Sequence, residues 1–181
     1  MVLPGHPYDR FGAANQVTTG RALLAASVAA LVLAPASDNT AWAAVGLGLV
    51  TTGLDGVDGW LARRSGMVSA FGARFDMEVD TFLILALAVL TWQHGKAGPW
   101  IIASGLLRYL FVAAGWSLPW MQRALPPSRR RQAACVLQIA GLLVALLPTV
   151  PAPAASAAAA GSLGVLCYSF LVDVVWLWQR A

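Results

Sequence analysis

The stretch DGVDGWLARRSGMVSAFGARFDMEVD, running from Asp55 to Asp80, holds five of the eight acidic residues of this 181-residue chain. Asp55 and Asp58 are three residues apart and Asp76 and Asp80 four apart. On helices, each pair therefore projects from one face. The chain around them is apolar, with 59% hydrophobic residues and only 11% charged. A carboxylate at the centre of a membrane helix costs about 2.5–3.5 kcal/mol, so four together cost on the order of 10 kcal/mol. Two like charges roughly 4 Å apart add about 1–4 kcal/mol of repulsion. Arg63, Arg64 and Arg74 supply three cations for five acids. The remaining demand suits one or two hard divalent ions of the Mg²⁺ or Mn²⁺ type, bound through oxygen. The stretch contains neither His nor Cys, which disfavours zinc. A solvated ion-pair network at a loop is the plainer alternative.

The spacing Asp55-x2-Asp58-Gly59-x2-Ala62-Arg63-x8-Gly72-x3-Asp76-x3-Asp80 resembles the signature of the CDP-alcohol phosphotransferase family, with each of the eight motif positions present. The resemblance implies an integral membrane enzyme that transfers a phosphatidyl or phosphoalcohol group from a CDP-linked donor to an alcohol hydroxyl and releases CMP. It further implies that Asp55, Asp58, Asp76 and Asp80 hold the metal as two ions, and that Asp80 also serves as general base. Gly59, Ala62, Arg63 and Gly72 then face the nucleotide. A weaker N-terminal pattern, Asn15-x2-Thr18-x2-Arg21, is also similar to the family and implies that Asn15 and Arg21 line the nucleotide or lipid site. An interfacial anchor is the competing reading of Arg21. Taken singly, Gly59, Ala62 and Gly72 read only as helix packing. Glu78, outside the motif, reads as an ion-pair partner of Arg74 at helical spacing.

Composition points to the same class. A mean hydropathy of +0.68 and long apolar runs belong to polytopic membrane proteins. The net charge of +4 does not indicate nucleic acid, because the arginines lie at the ends of apolar runs. Cys135 and Cys167 both sit in apolar segments and form neither ligand spacing nor a disulfide framework.

The expected architecture is all-α, with a loose or surface-lying arm over residues 1–16 and one six-helix transmembrane domain over residues 17–181. The spans run from about Val17 to Ala36, Trp42 to Arg63, Phe71 to Gln93, Trp100 to Trp116, Gln132 to Leu147 and Ala155 to Trp178. The first could also be read as a secretory signal, since Arg21 precedes an Ala/Leu/Val run. Gly46, Gly48 and Gly53 in the second span, and Ala157, Gly161 and Gly164 in the sixth, permit close helix approach. Both acidic pairs fall at the same end of neighbouring antiparallel spans.

With the N-terminus inside, Arg10, Arg21, Arg63, Arg64, Arg123, Arg129, Arg130, Arg131 and Arg180 all face the cytoplasm and only Lys96 lies outside. That bias predicts both termini in the cytoplasm and the acidic motif at the inner boundary of a cell membrane. The tryptophans fall near the expected span ends, as in an aromatic belt.

Arg108 lies within the fourth span, where a charge is functional by default, either binding an anion or pairing with a motif carboxylate or Asp173. With Arg129, Arg130 and Arg131 it forms a candidate acceptor site for a phosphorylated small alcohol such as glycerol phosphate or inositol phosphate. The triplet alone also satisfies the positive-inside pattern. Members of the family often carry Thr-x2-Gln after these basic residues, where this chain has Cys135-x2-Gln138. Asp173 reads as a partner for an arginine. CDP-diacylglycerol is the expected donor and homodimerisation is implied by the resemblance. A divalent-cation transporter with the aspartates as its ion site is the alternative function; it would place acids along a path through the membrane.

Overall fold

The computed structural model describes the backbone of residues 13–65, 70–123 and 125–180, and the side chains of residues 16–56, 72–123 and 125–180. Among these residues the chain is all-helical: α1 (Ala13–Ala30), α2 (Asp38–Ser65), α3 (Ala70–Gln93), α4 (Ala103–Ser117), α5 (Arg129–Leu146) and α6 (Ala152–Trp178). The six expected helices are present, with shifted ends. Helix α1 begins at Ala13 and tightens into a 3₁₀ turn at Leu31–Leu33 before Pro35; α4 is entered through a 3₁₀ turn, Pro99–Ile102; and α5 starts at Arg129, so the basic triplet forms its first turn. Prolines sit where their missing N–H costs nothing, just inside the starts of α6 and of the turn before α4.

Among the described residues, three segments are both long and apolar enough to cross a bilayer: Gln16–Leu33, Pro99–Ser117 and Ala152–Trp178. The acidic motif dilutes the apolar character of α2 and α3, and three arginines open α5. Large apolar side chains such as Leu23, Leu110, Trp116, Tyr168 and Leu171 point outward, as they do where the solvent is lipid.

The centre of the bundle is α3. Leu83, Leu87 and Leu90, spaced at helical repeats, are fully buried and meet Ala25 and Val28 of α1, Leu142 and Leu146 of α5, and Ala155 and Ala159 of α6 in one core. Threonines inside this bundle return their hydroxyls to their own helix: Thr51 to Leu47 O at 2.7 Å, Thr81 to Met77 O at 2.8 Å and Thr91 to Leu87 O at 2.7 Å. The hydroxyl protons of these three are thus used within their own helices.

Helices α2 and α3, consecutive in the chain, scarcely touch along their described lengths; α1 packs against both and lies between them. The expected direct pairing of the two motif helices is thus replaced by a three-helix arrangement. Close approach is confined to a few glycines. A side chain on Gly105 would come within 2.7 Å of the Leu85 backbone, and one on Gly48 within 2.6 Å of Leu143, whereas Gly46, Gly53, Gly161 and Gly164 have open space around them. At the end of the bundle away from the motif, Lys96 donates to the carbonyls of Val150 (2.5 Å) and Leu147 (3.3 Å), closing the C-terminus of α5.

Because the obstacle at Gly105 is backbone, Gly105→Ala must push α4 off α3. The expected outcome is a loss of about 1–3 kcal/mol, the usual range for overpacking, read as a lower midpoint of thermal unfolding in detergent. Gly161→Ala, where space is open, should leave the midpoint unchanged.

Candidate metal centre

Arg21 is fully buried, although an arginine in an apolar helix has every reason to reach for water. It stays because three carboxylates surround it. Its Nη1 donates to Asp76 Oδ1, and its Nη2 lies 2.6 Å from Asp80 Oδ1 and 3.0 Å from Asp55 Oδ1. The Nε donates to the Thr51 carbonyl at 3.2 Å. That carbonyl is one turn before Asp55, so α2 presents a carboxylate and a backbone oxygen to one guanidinium. Of the two sequence readings of Arg21, the interfacial anchor is not what the structure contains: the side chain turns into the bundle.

The three aspartates are partly open, with side-chain exposures of 31% for Asp55, 37% for Asp76 and 18% for Asp80. One oxygen from each falls within 4.8 Å of the others. The single guanidinium leaves two negative charges among these four side chains, the charge one divalent cation neutralises. The donors are all carboxylate oxygens, which suits Mg²⁺ or Mn²⁺. Three of the four expected metal ligands are therefore brought together. The fourth, Asp58, and the expected nucleotide-facing Gly59, Ala62 and Arg63 are carried on the last turns of α2, and Asn15 on the first turn of α1, but their side chains lie outside the described residues. Gly72 is on α3, one turn before Asp76.

Helix α5 closes one side of the cluster, with Cys135 Sγ 3.8 Å from Asp80 Oδ2. Cys167 is exposed on α6, far along the chain from any acid but Asp173.

The basic residues proposed for an acceptor divide into two groups. Arg108 donates to Glu78 and to the Met77 sulfur. Glu78 is two residues from both Asp76 and Asp80 and so projects from the other side of α3; the structure pairs it with Arg108 on α4 and not, as its spacing suggested, with Arg74. Arg108 is thereby set apart from the aspartate cluster. Arg130 donates to Asp173, to the Ser169 carbonyl and, at 2.9 Å, to the Ser169 hydroxyl. Arg131 reaches Asp173 at 3.3 Å and donates to the Pro126 carbonyl. Arg130, Arg131 and Asp173, with Pro127, Ser128 and Trp176, line a cleft of about 190 Å³. Arg129 is exposed. The expected ion pair of Asp173 with an arginine is present; its fork to two arginines was not legible from spacing, since α5 and α6 meet only through the fold.

A sequence model of the family described as CDP-alcohol phosphatidyltransferase matches residues 11–173 of the chain. No characterised relative and no solved structure gives a match.

Removing the guanidinium exposes the repulsion it holds. Arg21→Met should destabilise the protein by about 3–5 kcal/mol, the range for stripping one partner from a buried ion pair. Millimolar Mg²⁺ or Mn²⁺ should restore much of that loss, and thermal unfolding in detergent with and without the ion measures both effects.

Proposed function

We infer that this chain, which belongs to the CDP-alcohol phosphatidyltransferase family, transfers a phosphatidyl group from CDP-diacylglycerol to the hydroxyl of a small alcohol and releases CMP. Transfer of a phosphoalcohol group from a CDP-alcohol is what the family does. The observation that carries the finer reading is the convergence of Asp55, Asp76 and Asp80 within 4.8 Å of one another at the end of a helical membrane bundle. A phosphate-bearing headgroup can meet hard cations there while its lipid tails remain in the bilayer.

In this reading Asp55, Asp58 and Asp76, with Asp80 shared, hold two Mg²⁺ or Mn²⁺ ions. When bound there, such ions would supply positive charge to the pyrophosphate and to the departing CMP. Asp80 is the least exposed of the three described aspartates and the one that faces α5. Its carboxylate takes the proton of the acceptor hydroxyl as that oxygen attacks the phosphorus bearing the donor alcohol. The new P–O bond forms as the bond from that phosphorus to the CMP oxygen breaks, and CMP leaves with the electron pair. Arg21 fixes the orientation of Asp76 and Asp80. Asn15, Gly59, Ala62, Arg63 and Gly72 belong to the nucleotide side of the site. Arg129, Arg130 and Arg131 receive the charged end of a phosphorylated acceptor, while Arg108, bound to Glu78, serves the α3–α4 contact.

The same reading has all six helices crossing the cell membrane, both termini and the aspartates on the cytoplasmic side, and two copies of the chain forming a homodimer. A divalent-cation transporter is the other use of such a cluster, yet among the described acids Asp55, Asp76 and Asp80 gather at one place, and Glu78 and Asp173 are bound to arginines.

With purified protein and CDP-diacylglycerol offered a panel of small alcohols, CMP release should require Mg²⁺ or Mn²⁺ and stop with a chelator. Asp80→Asn should lower the rate about 10²–10⁴-fold, the contribution of a positioned base, while the ion still binds. Divalent flux into proteoliposomes with no CMP formed from any CDP-alcohol would instead support the transporter.

A further inference from the structure

Arg21 carries a charge that no working pH removes, and the fold gives it no route to water. The guanidinium is fully buried. Ala25 and Val28, one and two turns further along α1, are fully buried too, as are Leu83 and Leu87 beyond Asp80 on α3. Its Nε donates to the carbonyl of Thr51, itself buried on α2. The carboxylates in front of it are partly open, at 31% for Asp55, 37% for Asp76 and 18% for Asp80, against 1% for the Arg21 side chain. The cluster therefore has a closed face, occupied by a fixed cation, and an open face of carboxylates.

Such a cation acts on a divalent ion in two opposed ways. It orients ligands from two helices, which favours binding. It also stands behind them as a permanent like charge, which disfavours binding, and its burial keeps water and salt from screening that repulsion well. The placement of the ligands shows which effect is larger. Asp76 and Asp80 are one turn apart on α3 and share a face without help. Helix α2, which carries Asp55, is packed along α1, and α1 along α3, by apolar core residues such as Ala25, Val28, Ala44 and Val45. The backbones are thus brought together by packing, and an ion can orient carboxylates already this close. One oxygen of each, Oδ1 in all three, is meanwhile engaged by the guanidinium. Repulsion is the larger share.

We propose that Arg21 holds the divalent-ion affinity of the free protein low, so that an ion is bound firmly only when a second anion shares the open face, and that the pyrophosphate of the CDP-linked donor is that anion. Arg21 thereby couples ion binding to donor binding. The coupling is reciprocal, because whatever factor the nucleotide adds to the ion's affinity the ion adds to the nucleotide's. This rests on the transferase reading above for the identity of the anion and gives that site its order of loading: a protein without donor keeps its aspartates only loosely metallated. Arg21 is then more than a structural tie, and removing its charge tightens the site for an ion even as it loosens the fold.

The test titrates the full chain in detergent with Mn²⁺, followed by its electron paramagnetic resonance signal, with and without saturating CDP and corrected for Mn²⁺ held by CDP alone. The wild type should bind Mn²⁺ about tenfold or more tighter when CDP is present. Arg21→Met and Arg21→Gln, which remove the charge, should bind Mn²⁺ without nucleotide about tenfold or more tighter than the wild type, and the gain should persist at roughly 0.5 M salt because the charge removed is a buried one. Arg21→Lys keeps the charge and should stay close to the wild type. Should neither neutral variant fold, the CDP dependence of the wild type decides. Unchanged or weaker Mn²⁺ binding in a folded neutral variant means that orientation outweighs repulsion and overturns the proposal. A wild type whose Mn²⁺ affinity ignores CDP overturns it too, and CMP release from CDP-diacylglycerol then tells whether the transferase reading stands. Binding of Mn²⁺ by no version of the chain, with no CMP released, overturns both.

Discussion

Everything at the motif end of this bundle depends on a single buried guanidinium. Three carboxylates from two helices could not be brought within 4.8 Å of one another in an apolar setting without a cation among them. Arg21 provides it from a third helix, with Asp55, Asp76 and Asp80 all on its terminal nitrogens and Thr51 on its Nε. The interaction is both electrostatic and topological, because it is the polar link that ties α1 to α2 and to α3 at the same point. It is also incomplete: among the described side chains one positive charge faces three negative ones, which leaves the cluster attractive to a further cation. A site that is stable enough to fold and still short of positive charge is what a metal-dependent phosphoryl-transfer centre requires.

The same economy recurs elsewhere in the chain. Glu78 with Arg108 joins α3 to α4, Asp173 with Arg130 and Arg131 joins α6 to α5, and Lys96 closes the end of α5 on backbone carbonyls. Glu78, Arg108 and Asp173 are thus each spent on a contact between helices, with apolar packing around α3 filling the space between. Within hydrocarbon such pairings carry more of the specificity than apolar contact can, since lipid tails are as apolar as the leucines they would replace.

Much of this was readable from residue order. The acid spacing, the absence of His and Cys from the motif, and the apolar runs bounded by turns gave an all-helical membrane protein with a carboxylate centre, and the family match over residues 11–173 agrees. Local signals failed where the partner is distant in sequence. Glu78 looked suited to Arg74 because helical spacing is all a sequence displays, yet Arg108, thirty residues on, takes it. The direct contact expected between α2 and α3 followed from their adjacency in the chain, and no local pattern reveals that α1 inserts between them. Arg21 was visible as a costly residue in an apolar run, but nothing in its neighbourhood tells which acids compensate it. Gln138 was marked only by its place three residues after Cys135, and nothing in that spacing tells that its amide is buried without a hydrogen-bond partner.

The wedge position of α1 has a mechanical consequence. The two helices that carry the aspartates are spaced by a third body, so the separation of α2 from α3 depends on the α1 side chains packed in the core beyond Arg21, Ala25 and Val28 among them. Jaw width is then governed by residues that never touch an ion. Homologous chains could retune which cation or headgroup fits by altering one small residue on the spacer while every acid stays in place.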